Sequence, residues 1–196
     1  MLTMLGVCLR QQLSLLPALT GLSAQGDARY PDQAAEWLLA TEQELSRLRR
    51  HEAGLFATLR GRLVATREGF RDPQVPGELT NRKALKAAAA VYLSQGEALL
   101  RDTLSALDAQ LQPLRGQLAQ LISAGYLLGL LSPPDGVVHE SWLRLCWSRL
   151  AEHEQTRGMA VYLTTALSPV DRLYLFDELL GNLHFQPDGA RAARSK

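Results

Sequence analysis

The sequence predicts an all-α protein: a long, kinked, antiparallel helical hairpin of coiled-coil type, with a short N-terminal helix and a compact C-terminal helical group. Three observations carry this. Leucines recur in heptad steps from Leu93 to Leu128, with Leu93, Leu100, Leu107, Leu114, Leu121 and Leu128 at d and Leu104, Leu111 and Leu118 at a. A second near-heptad series precedes it: Leu38, Thr41, Leu45, Leu48, Leu55, Leu59 and Leu63. Aromatic residues make up only 6% of the chain while Leu and Ala abound, which favours helices over sheets.

Residues Leu2 to Leu16 read as a short amphipathic helix, ended near Pro17 and Gly21. Pro31 suits the first turn of a helix from about Asp32 to Phe70, whose apolar face carries Glu52 at one seam position. Pro73, Pro76 and Gly77 break that helix, and Thr80 or Asn81 can cap the next, which carries the leucine run from about Arg82 to Leu131. Pro113 falls at an outward c position within it, so a kink is expected and not a break. The short connection makes the two long helices an antiparallel hairpin. Gly125 and Glu97 interrupt its a positions, and Arg101 stands i,i+4 from Glu97.

Ser132, Pro133, Pro134, Asp135 and Gly136 mark the expected boundary between residues 1–131 and a C-terminal group over 132–187, followed by a loose basic tail at 188–196. His139 to Arg157 is helical in pattern, with Trp142, Cys146 and Leu150 on one stripe, Leu143 and Trp147 beside it, and an i,i+4 pair Glu140–Arg144. Met159 to Leu167 contains the β-formers Val161, Thr164 and Thr165, yet Met159, Tyr162, Leu163, Ala166 and Leu167 fit a helical face. Ser168-Pro169-Val170-Asp171 combines a hydroxyl cap, a Pro in the first turn and a first-turn acid. Leu173, Phe176, Leu179, Leu180 and Leu183 give the last helix its expected buried face.

The 196 residues, 46% hydrophobic and 21% charged, are those of an ordinary globular chain, and a net charge of +1 exerts no global pull on nucleic acid, membrane or acidic substrates. The uncharged stretch Leu118 to Leu131 is too short to span a bilayer and contains Gln120 and Ser123. The N-terminal stretch loosely resembles a signal peptide, but Arg10, Gln11 and Gln12 interrupt it. Both stretches are expected to be core or interface helices, with no membrane span. Cys8 and Cys146 fit no metal or redox spacing and read as buried free thiols, which suits a reducing, cytoplasmic setting.

The search for chemistry is negative. Of His51, His139, His153 and His184, none stands four residues from another, and none follows a Glu by three, so neither a helical His pair nor a di-iron signature is present. Glu152-His153-Glu154 are consecutive on a helix and point apart. No Gly-x-Ser-x-Gly elbow, Walker loop or dinucleotide fingerprint occurs. No cofactor and no metal are expected, and the chain reads as non-catalytic.

Two surfaces remain. Leu118, Leu121, Leu128 and Leu131 extend past the end of the first long helix, where a helical protein partner or a second copy would cover them. Between Glu44 and Lys86, ten basic against five acidic residues leave an excess of +5. On one continuous helix, Arg49, Arg60, Arg67 and Arg71 would form a stripe beside the leucine face. Such a stripe serves either acids on a partner helix or a phosphate backbone. The sequence therefore points to an interaction or scaffold subunit, with a nucleic-acid-associated helical subunit as the alternative. A third reading, a ligand or catalytic pocket near Cys146, His153 and Trp142–Trp147, has less behind it.

Overall fold

The computed structural model describes residues 1–75, 80–132 and 140–184, the last three of these by backbone alone. Among the described residues the protein is all-α, without strands, and its helices are α1 (Leu2–Ser14), α2 (Leu16–Ala24), α3 (Tyr30–Arg47), α4 (Glu52–Arg67), α5 (Asn81–Leu127), α6 (Glu140–Glu152), α7 (Glu154–Ala166) and α8 (Pro169–His184). They group into two compact units: residues 4–107, the N-terminal unit, and residues 1–3 with 108–196, the C-terminal unit. The division falls within α5, whereas the sequence places it at Ser132–Gly136. The residues Pro133, Pro134, Asp135, Gly136, Pro76, Gly77, Glu78 and His139, like the tail 188–196, lie outside the described residues.

In the N-terminal unit, α1 buries Leu5, Leu9 and Gln12 along one stripe. Pro17 does not end this helix, as the sequence reading has it; it stands in the first turn of α2, where a missing N–H costs nothing. Near the end of α1, the Gln12 carbonyl, an acceptor the helix itself leaves open, takes the Trp37 indole N–H at 3.1 Å, and the Gln12 side chain accepts from Thr41 at 3.2 Å.

The expected single helix over Asp32–Phe70 is two helices. α3 stops at Arg47, and the chain turns back through Leu48–His51 into α4. The stop is a Schellman motif: the Arg49 N–H donates to the Ser46 carbonyl at 2.9 Å and the Arg50 N–H to Leu45 at 2.9 Å, with Arg49 at φ 55. Such an end normally carries Gly or Asn, so the pattern conceals it. The break shifts the buried face of α4 to Glu52, Ala53, Phe56, Leu59, Leu63 and Thr66, and leaves Leu55, expected on that face, 44% exposed. α3 and α4 form an antiparallel hairpin, joined by the Arg60–Glu42 ion pair at 2.8 Å, by Arg67–Asp32, and by an edge-to-face Trp37–Phe56 contact with centroids 5.8 Å apart.

α5 runs unbroken through exposed Pro113 and ends at Leu127, short of the expected Leu131. Leu93, Leu100, Leu107, Leu111, Leu118 and Leu121 of the heptad run are buried. In the N-terminal unit, α5 passes over the Trp37–Phe56 pair at Gly96, where a Cβ would lie 2.9 Å from the indole. In the C-terminal unit, Gly125 serves the same purpose: a Cβ there would lie 2.7 Å from Leu150 of α6. The glycine that interrupts the seam is thus a close-packing point.

The expected helix His139–Arg157 is also divided. His153 has extended backbone (φ -76, ψ 132) and caps α7 by accepting the Gln155 N–H through Nδ1 at 3.3 Å. Buried Thr156 donates to the Leu150 carbonyl at 2.5 Å, filling an acceptor at the end of α6. Met159–Leu167 lies in and just after α7, as helix. The Ser168–Asp171 start holds: Ser168 Oγ accepts the Asp171 N–H at 3.2 Å and donates to the Asp171 carboxylate at 2.7 Å. Phe176 and Leu180 of α8 are buried as expected, together with Leu175; Leu183 lies beyond the residues with described side chains. Trp147 meets Phe176 edge-on at 5.9 Å and carries the Arg172 guanidinium 4.5 Å from its ring centroid.

Candidate protein interface

The seam leucines assigned to a partner are mostly covered by the chain itself. Leu118, Leu121 and Leu131 are 0%, 1% and 4% exposed, while Leu128 is 38% exposed beside Leu127 at 89%. The reason is local to the C-terminal unit: after α5 the chain folds back, so that Leu131 and Leu150 both close on Gly125. Three of the four interface candidates are therefore core.

The arginine stripe is dissolved by the break after α3. Arg49 sits in the turn, not on a helix. Arg60 pairs with Glu42 and Arg67 with Asp32, both across the α3–α4 hairpin, and Arg71 lies beyond α4, 3.5 Å from the Asn81 side chain. The alignment that would track a phosphate backbone needs one continuous helix, which α3 and α4 do not supply. The two carboxylates at seam positions find cations close by in sequence: Arg50 meets Glu52 at 2.9 Å, and Arg101 meets Glu97 at 2.7 Å. Burial raises the Glu52 pKa, but the Arg50 hydrogen bond and charge hold it below the ordinary value.

Cys146 is buried and Cys8 half-buried, both as free thiols. Burial pushes the pKa of each upward, the opposite of what an activated thiolate needs. Among the described residues no group of three or more His, Cys, Asp or Glu could hold a metal ion. Leu2–Ala24, 23 residues with a mean hydropathy of 1.2, is long and apolar enough to cross a membrane by length and composition alone, a test that core helices and signal sequences also pass. In the structure α1 and α2 divide this stretch and bury Leu5, Leu9, Leu16 and Leu19.

What the sequence pattern missed are two grooves in the N-terminal unit. Between α2 and α3 a depression of about 320 Å³ is lined by Leu15, Leu19, Leu22, Trp37 and Ala40, with Glu36 as its acid. Between α4 and α5 a second, of about 350 Å³, is lined by Leu55, Leu59 and Arg62 from α4 and by Ala98, Leu99 and Asp102 from α5. Thr58 and Gln95 complete it. Both lie near the lower end of the range for ligand-sized sites, roughly 300–1,000 Å³. The signal for the second groove was Leu55: an apolar residue turned outward once the helix breaks at Arg49. No protein-family model, no curated protein and no solved structure matches this chain.

Proposed function

We propose that the protein is a non-catalytic helical interaction subunit that binds a protein partner through the α4/α5 groove. The observation that carries this is the groove itself, with leucines from two helices and Leu55 44% exposed. A trough between two helices suits a helix laid along it. Two free cysteines suit a reducing, cytoplasmic setting. The alternative, contact with nucleic acid through arginine, has less support, since Arg60 and Arg67 are engaged with Glu42 and Asp32.

The test is site-specific photocrosslinking in cells. A benzophenone side chain at Leu55 or Leu99 is expected to give a protein adduct that the same group at exposed Gln43 of α3 does not. Absence of adducts at Leu55 and Leu99, or equal adducts at Gln43, overturns the reading.

A further inference from the structure

We infer that the α4/α5 groove takes a single amphipathic helix of a partner protein that carries one acidic and one basic residue flanking its apolar ridge, about two turns apart. This rests on the interaction reading above and specifies its partner. The lining residues fall at one spacing on both walls. Leu55, Leu59 and Arg62 stand at i, i+4 and i+7 on α4, and Gln95, Leu99 and Asp102 stand at i, i+4 and i+7 on α5, so each wall is one helical face ending in a charge. Thr58 and Ala98, both small, widen the middle.

The two charges stand at opposite ends. A Cβ at Gly96 would lie 3.1 Å from the Phe56 ring, which places the start of α4 beside this part of α5. Further along α4 and further back on α5, Arg62 and Tyr92 both reach the Asp72 carboxylate, at 4.0 and 2.6 Å. The walls are therefore antiparallel, with Arg62 at the Gln95 end and Asp102 at the Leu55 end. The Arg62 side chain is 45% exposed, its ion pair with Asp72 stretched to 4.0 Å. Asp102 is exposed, and among the described residues no ion pair or hydrogen bond engages it.

A trough with leucine walls and one charge of each sign at its ends selects by electrostatic complementarity. From Gln95 to Asp102 the wall rises on the order of 10 Å, so the two complementary charges of an occupant lie about two helical turns apart. An occupant with two acids or two bases meets one attraction and one repulsion. The groove's mixed rim also tolerates either direction of the occupant, since acid-then-base and base-then-acid helices dock in opposite senses.

The experiment measures the full chain against three designed 18-residue helical peptides by fluorescence anisotropy at low salt. They share one leucine ridge and differ in the flanking charges: acid with base, two acids, two bases. The acid–base peptide is expected to bind roughly fivefold tighter than either other, the scale of an exposed ion pair. Asp102→Arg should transfer the preference to the two-acid peptide, Arg62→Glu to the two-base peptide, and Leu55→Glu should abolish binding of all three. Equal binding of the three peptides, or no binding while photoadducts form at Leu55, overturns this inference and leaves the interaction reading standing. No binding and no adducts overturns both. A dimer in light scattering that Leu55→Glu dissociates makes the occupant a second copy, and also overturns it.

Discussion

The two units start their helices by different means. In the N-terminal unit the starts of α2, α3 and α4 have no side-chain cap, and the ends are closed by backbone: Gly26, Arg49 and Gly69 each take a positive φ, and the N–H of each and of the residue after it close on carbonyls behind them. In the C-terminal unit α5 ends in the same way, at Gly129 with φ 69, but side chains start α7 and α8. His153 starts α7, Ser168 with Asp171 starts α8, and the Asp171 carboxylate also accepts the Thr3 N–H at 2.9 Å and the Thr3 hydroxyl at 2.7 Å, at the first turn of α1. A backbone stop asks only that one residue tolerate a left-handed conformation. A side-chain start asks for a particular acceptor at a particular place. The first kind therefore tolerates substitution at its start and is sensitive at one φ; the second is sensitive at the capping residue.

The largest effect is expected at Asp171. Asp171→Ala leaves Thr3 and Ser168 without their acceptor in a buried setting and should cost about 2–3 kcal/mol, read from urea unfolding followed by Trp142 and Trp147 fluorescence. A loss below the noise would mean that the side-chain caps carry no more weight than the backbone ones.

The same carboxylate makes the C-terminal unit acid-sensitive. Burial raises its pKa, and hydrogen bonds from Thr3, Ser168 and the Leu2 backbone more than offset this, so the folded value lies below the ordinary 3.8. A depressed folded pKa stabilises above the unfolded value and is lost as pH falls through the folded one, so this contribution should begin to decline below about pH 4 and disappear below the folded pKa. Acid titration of the wild-type chain should show that loss, and Asp171→Ala should flatten it.

At the helix starts, His153→Ala is expected to cost about 1 kcal/mol, and His51→Ala, at the uncapped start of α4, no more than about 0.5 kcal/mol. Equal costs would erase the distinction between the two units. The smallest effect carries the opposite sign. Arg49→Gly removes the strain of a non-glycine residue at φ 55, which outweighs the added freedom of glycine in the unfolded chain, and should stabilise the N-terminal unit by about 0.5–1 kcal/mol in unfolding followed by Trp37. A loss of stability would show that the Arg49 side chain, and not its backbone, holds the turn.

Much of the fold was legible, and the parts that were share a short range. The Glu97–Arg101 and Glu140–Arg144 pairs and the Ser168–Asp171 start lie within four residues, so their geometry follows from helix periodicity. The candidate site was legible only in part. Leu118 and Leu121 are buried on α5, but Leu131 lies past the end of that helix and closes with Leu150 on Gly125, a fold-back that periodicity does not reveal. The arginines were read as a stripe because the stop at Arg49 carries none of the residues that announce one. Leu55 looked like core for the same reason: it keeps the heptad phase of a helix that ends before it.

By itself the sequence determined that the protein is all-α, where most helices lie and which faces are apolar. Burying leucines along a helical stripe is worth many kcal/mol in sum, and that stripe is written directly in the spacing. Tertiary structure decided where two long apolar patterns divide, which leucines stay exposed, and that Asp171 reaches Thr3 across 168 positions of the chain. A left-handed residue or a lost cap costs only about 1 kcal/mol, so packing partners distant in sequence tip such choices. The α4/α5 groove exists because they did.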